Sequence, residues 1–90
     1  MNHPAEIQQL IRDRSELFWY IPEGKKTEIP LELLVETMLI YSDVADIRRL
    51  INLLGIHEVA NIFNRQIQSS RNNYPQRTAH YFSLYFAKYA

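Results

Sequence analysis

The sequence predicts an all-α fold: a single compact bundle of about five helices, with an extended aromatic segment over residues 17–21 after the first helix. Three observations carry this expectation. Apolar residues recur at three- and four-residue spacing through most of the chain. No two runs alternate with period two, so no sheet can form. The two glycines and four prolines fall mostly between the periodic runs and so divide helices rather than break them. Ninety residues suffice for one hydrophobic core, and the chain is read as a single helical domain over 1–90.

Taken in order, Pro4 opens a helix that runs to about Arg14, with Ile7, Leu10 and Ile11 on its apolar stripe. Leu17-Phe18-Trp19-Tyr20-Ile21 is rich in aromatic and β-branched residues and runs into a turn at Pro22 and Gly24, so it reads as extended. Lacking a partner strand, this segment is expected to lie in a groove between helices with Phe18 and Trp19 as plugs. Pro30 starts the second helix, whose apolar face is marked by Leu33, Leu34, Thr37, Met38, Ile40 and Tyr41. Glu28, Glu32 and Glu36 lie toward its N-terminal end, where the helix dipole favours anions. Ser42 or Asp43 caps the third helix, Ile47, Leu50, Ile51 and Leu54 form its stripe, and Gly55 ends it. The fourth helix, from about His57 to Gln68, offers Val59, Ile62, Phe63 and Ile67 to the core. His57-Glu58 is read as its cap. Residues 68–75 form a polar loop without periodicity, and the last helix spans about Gln76 to Tyr89.

Composition narrows the function. With 47% apolar and 22% charged residues and zero formal net charge, the chain falls on the globular side of the disorder boundary. It contains no cysteine, which excludes disulfides, thiolate metal sites and a cysteine nucleophile. The apolar stretch from Leu50 to Ile56 is interrupted by Asn52 and falls far short of the ~20 residues of a membrane span. Met1-Asn2-His3-Pro4-Ala5-Glu6 has neither the basic nor the apolar part of a secretory signal. A cytoplasmic protein without membrane contact is therefore expected.

Motifs for catalysis are missing. His3, His57 and His80 show no metal-binding spacing, no glycine-rich phosphate loop or nucleophile elbow occurs, and Gly24 and Gly55 have ordinary turn explanations. Glu32 and Glu36 sit one turn apart, a spacing read as a solvated face rather than an acid–base pair. The expectation is a protein that is not an enzyme and has neither cofactor nor metal.

Charge is distributed unevenly. Residues 1–46 carry nine acidic side chains against four basic ones, whereas residues 47–90 carry one against six. Residues 46–66 have the outline of a helix-turn-helix about Gly55, but its register fails. The inward positions of the second helix would be Asn61 and Asn64, and Ile51 occupies the place that needs a small residue. Arg65, Arg71 and Arg77 remain candidates for holding phosphate.

The strongest pattern lies in the last helix, where Tyr81, Tyr85 and Tyr89 recur every fourth residue along one ridge and Phe82 and Phe86 form the ridge beside it. A small bundle can bury one ridge, expected to be Phe82 and Phe86 with Ala79. That leaves the amphipathic tyrosines at the rim, where they suit a partner surface.

The arrangement Arg14-x-x-Leu17-Phe18-Trp19, followed by Leu34-Val35-Glu36-x-x-Leu39-x-Tyr41-Ser42-Asp43-x-x-Asp46-Ile47-x-x-Leu50, then Gly55 and Thr78-x-x-Tyr81-Phe82-x-Leu84-x-Phe86, resembles a family of small uncharacterised helical proteins common in Bacteroidetes. The resemblance covers about residues 14–89. The chain departs from that pattern at Tyr20, Ser42 and Leu54, where the family often has Asp, Gly and Tyr. Family members are often encoded beside nucleotidyltransferase-like toxin genes of the abortive-infection type, so the resemblance implies an antitoxin or toxin-partner role. It supplies no site residues.

The expected function is thus a protein–protein interaction module, antitoxin-like, with Tyr81, Tyr85, Tyr89 and Tyr20 as interface candidates. Two alternatives stand beside it: a nucleic-acid-binding regulator using Arg65, Arg71 and Arg77, and a homodimeric structural protein whose tyrosine ridge closes on itself about a two-fold axis.

Overall fold

The computed structural model of the chain describes residues 3–69 and 72–90. Among these residues it contains five α-helices and no strand: α1 (Ala5–Asp13), α2 (Leu31–Tyr41), α3 (Val44–Leu54), α4 (Ile56–Gln68) and α5 (Gln76–Tyr89). Two 3₁₀ segments, Ser15–Phe18 and Glu23–Glu28, connect α1 to α2. All four prolines stand immediately before a helical segment. Pro4, Pro30 and Pro75 accept the first helical hydrogen bonds of α1, α2 and α5 at 3.0, 3.1 and 2.9 Å, and Pro22 accepts from Lys25 N–H at 2.9 Å. A residue without an N–H loses nothing at a position where that group would have no helical acceptor.

Helices α2, α3 and α4 each pack on the other two and form the centre of the fold. α1 is added against α3 and the second 3₁₀ segment, while α5 is added chiefly against α4. The most central helix is α2, in which Leu34, Val35, Thr37, Met38 and Leu39 are all buried. Tyr41, expected on its apolar face, is instead exposed and lines a surface groove with Leu17 and Tyr20, although Met38 and Leu39 in the same turn are buried.

Gly55 makes the tightest connection. At φ 87° it is the sole described residue with positive φ; its N–H donates to Ile51 O at 2.7 Å, closing α3, and its carbonyl accepts from Val59 N–H at 3.2 Å, opening α4. An L side chain is strained at that φ. One glycine therefore ends one helix and begins the next, and His57 lies inside α4 rather than capping it.

The 17–21 segment is not extended. Leu17 N–H bonds to Arg14 O at 3.0 Å and Ile21 N–H to Phe18 O at 2.9 Å, so the backbone turns through 3₁₀ geometry. With no strand among the described residues to pair with, its polar groups find partners locally. The adjacent aromatics consequently point apart: Phe18 is fully buried whereas Trp19 is 80% exposed, so only Phe18 plugs the core. Lys26 fixes the second 3₁₀ segment to the first. It is buried, and its Nζ donates to Ser15 O at 3.2 Å and to Glu23 Oε1 at 2.7 Å.

A polar cluster joins α1 to α3. Asp43 caps α3 by accepting from Asp46 N–H at 3.0 Å, and the buried Asp46 carboxylate accepts from the Arg14 guanidinium and from Ser42 Oγ at 3.2 Å. Arg49 Nη1 donates to Asp13 Oδ2 at 2.8 Å beside it, so a cation of the basic half meets an anion of the acidic half and part of the sequence asymmetry is neutralised in space. The Arg14 guanidinium holds the Asp46 carboxyl below the ordinary aspartate value of 3.8. Because the folded value is lowered, this contribution to stability is complete above the unfolded value and is lost as pH falls through the folded one. The urea midpoint of the wild-type protein should therefore fall between about pH 5 and pH 2, and Asp46→Asn should both lower the midpoint at neutral pH and flatten its acid dependence.

Candidate functional site

α5 is held through one ring. Phe63, fully buried on α4, meets Phe82 and Phe86 of α5 at centroid distances of 6.1 and 5.4 Å, and Phe82 and Phe86 stack on each other at 5.7 Å. As expected, this is the buried ridge. Phe63 also takes the edge of Tyr74 at 5.1 Å. Tyr74 belongs to the segment read as a featureless polar loop, yet it is buried. Its hydroxyl donates to Gln66 Oε1 at 2.5 Å, Gln66 Nε2 in turn donates to Glu32 O at 2.8 Å, and Asn73 Nδ2 donates to Glu36 Oε1 at 3.0 Å. The stretch from 72 to 75 is thereby tied to α2 and α4, and burial, reinforced by Glu36, pushes the Tyr74 phenol well above its ordinary pKa. An aromatic directly before a proline-started helix is the signal that could have revealed it, since apolar residues in that position commonly pack back on the fold.

With the phenylalanine ridge turned inward, the tyrosine ridge faces out. Tyr81 and Tyr89 are 59% and 56% exposed, Leu84 between them is 61% exposed, and Tyr85 is half-buried. The rings form a continuous row: Tyr81 stacks on Tyr85 at 6.3 Å with planes 17° apart, and Tyr85 meets Tyr89 at 4.9 Å. Lys88 Nζ lies 5.3 Å from the Tyr89 ring centroid and adds a cation at the C-terminal end of the row.

Tyr20, the fourth interface candidate, belongs to a different cluster. Its hydroxyl shares a 3.3 Å hydrogen bond with the buried Thr37 Oγ1, its ring meets Trp19 edge-on, and both rings line a groove with Tyr41, Leu17 and Glu16. Sequence reading missed Trp19 and Tyr41 as surface groups because each was assigned to the core.

Of the arginine candidates, Arg65 and Arg77 line different hollows. Arg65 lines an apolar groove that also carries the carboxylates of Glu28, Glu32 and Glu58. Arg77 lines a separate hollow with Gln76 and His80, and Arg71 lies outside the described residues. Three carboxylates around Arg65 oppose a phosphate there. Among the described residues, no group of three or more His, Asp or Glu side chains is placed to hold a metal ion, and no helix is long and apolar enough to cross a membrane.

The contrast between adjacent aromatics is measurable. Phe18→Ala should destabilise the fold by about 3–5 kcal/mol, whereas Trp19→Ala should change stability by no more than ~0.5 kcal/mol, both read from chemical denaturation followed by circular dichroism. Comparison of the chain with protein-family models, with curated proteins and with solved structures finds no match.

Proposed function

We propose that this protein works as a protein–protein interaction module that engages its partner through the outer face of α5. The antitoxin-like partnership with a nucleotidyltransferase-type toxin implied by the family resemblance is the specific form of this reading. The observation that supports it is the division of α5 into two aromatic ridges. Phe82 and Phe86 are turned onto Phe63, and Tyr81, Leu84 and Tyr89 stand exposed on the other side around the half-buried Tyr85. Tyrosine is suited to such a face. Its ring removes a large apolar area from water on binding, its hydroxyl keeps the free surface hydrated, and few torsions are lost when it is fixed.

The row favours a protein partner over a nucleic acid. Its C-terminal end carries a single lysine, Lys88, and Arg65 and Arg77 line separate hollows, Arg65 in a groove that also carries three carboxylates, which is not the continuous cationic track that a phosphate backbone needs. A second copy of the chain is the remaining occupant. It is distinguished by mass, since a dimer closed by this row would sediment as twice the monomer without any partner present.

The experiment is affinity capture from the native cell lysate with and without nuclease, comparing wild type with a Tyr85→Ala/Tyr89→Ala variant. A stoichiometric protein should survive nuclease on the wild type and be lost on the variant. In a titration with that partner the double substitution should weaken binding by at least about thirtyfold, with circular dichroism confirming that the variant is folded. Equal retention by both proteins, or retention of nuclease-sensitive material alone, would refute the assignment.

A further inference from the structure

The groove at the end of α2 has a chemistry of its own. Five residues line it: Glu16, Leu17, Trp19, Tyr20 and Tyr41, around a volume of about 390 Å³. Two of its walls stand almost at right angles, since the Trp19 and Tyr20 rings are 5.8 Å apart with planes inclined by 83°. Tyr20 is held in place by its hydroxyl contact with Thr37, and Tyr41 follows Thr37 by one turn on the same face of α2, which puts a third ring at the groove. All three rings are open to solvent, with Trp19, Tyr41 and Tyr20 80%, 69% and 48% exposed.

Charge gives this aromatic corner its preference. Glu16 is the one ionised group in the lining, and it is exposed. Arg14, the cation that feels Glu16 through space, is committed to Asp46 in the adjoining hollow, where Asp43 adds a further carboxylate. Aromatic faces are negative and attract cations, and a carboxylate at the edge adds a directional acceptor. A guanidinium satisfies both demands, because it is planar, stacks on rings and presents several donors in one plane. A purely apolar side chain would use the rings but leave Glu16 without a gain.

We propose that the groove formed by Trp19, Tyr20, Tyr41 and Glu16 is a docking site for an arginine side chain presented by a partner protein. The guanidinium stacks against the aromatic walls and donates to the Glu16 carboxylate. The site shares no residue with the α5 row, so either surface can fail without the other.

Trp19 is the sole tryptophan of the chain, so intrinsic fluorescence reads this site directly. The full-length protein is titrated with a short glycine–arginine peptide and with the same peptide carrying citrulline, which keeps the shape of arginine and removes its charge. The arginine peptide should produce a saturable change in Trp19 emission that the citrulline peptide does not. Glu16→Gln and Tyr41→Ala, both at exposed positions, should each weaken the arginine response by about two- to fivefold, and circular dichroism confirms that both variants are folded. The proposal is overturned by an absent response, by equal responses to the two peptides, or by an arginine response that neither substitution weakens.

Discussion

The contact between Phe63 and the inward ridge of α5 decides what this molecule presents to its surroundings. α5 is attached chiefly to α4, and the rings of Phe82 and Phe86 against Phe63 are the apolar centre of that attachment. A fourteen-residue helix has no independent stability to speak of in water, so it exists here because one of its faces is buried. The choice of face fixes the rest. With the phenylalanines turned in, the tyrosines one residue away are turned outward as a row, and Tyr74 closes the other side of Phe63 while anchoring the approach to α5. The same packing that stabilises the helix therefore generates its outer surface.

The junction of α1 with α3 is arranged by polar rather than aromatic contacts. Arg14, Ser42, Asp43 and Asp46 bring the end of α1 to the start of α3, and each buried polar atom in this cluster has a partner. A buried carboxylate left unpaired would be costly, so this cluster specifies one arrangement of α1 on α3 in a way that interchangeable apolar contacts do not. Its position matters for the neighbouring groove. By engaging Arg14 it leaves Glu16 as the available charge beside Trp19, Tyr20 and Tyr41.

Much of the architecture was legible from proline and glycine. Pro4, Pro30 and Pro75 each precede an α-helix and Gly55 marks both an end and a beginning, which is why the boundaries of all five α-helices follow from the sequence to within about a residue or two, whereas Pro22, read as part of a turn, precedes a 3₁₀ segment. The buried ridge of α5 was legible as well, because helical spacing separates Phe82 and Phe86 from the tyrosines. The region around 17–21 was not. Aromatic and β-branched residues favour extended backbone on average, but that preference is realised through pairing with another strand, and there is none among the described residues. A 3₁₀ turn then sends neighbouring side chains to different surroundings, burying Phe18 and exposing Trp19. Tyr74 was hidden for the converse reason, being a single buried aromatic within a polar stretch where averaging over the loop conceals it. The surface groove depends on how the turn through residues 16–20 is set against the end of α2, and no local pattern carries that information.

Tyr81 and Tyr89 are open in the free protein, and the proposed function requires a partner to cover them. Tyrosine nitration followed by mass spectrometry tests it directly, because each site is modified according to its access to solvent. In the free chain Tyr81 and Tyr89 should react readily and Tyr74 should be spared. In the complex with the captured partner Tyr81, Tyr85 and Tyr89 should become protected while Tyr41 keeps the reactivity that the α5 contact leaves untouched. Undiminished nitration of Tyr81 and Tyr89 in the complex would contradict the account.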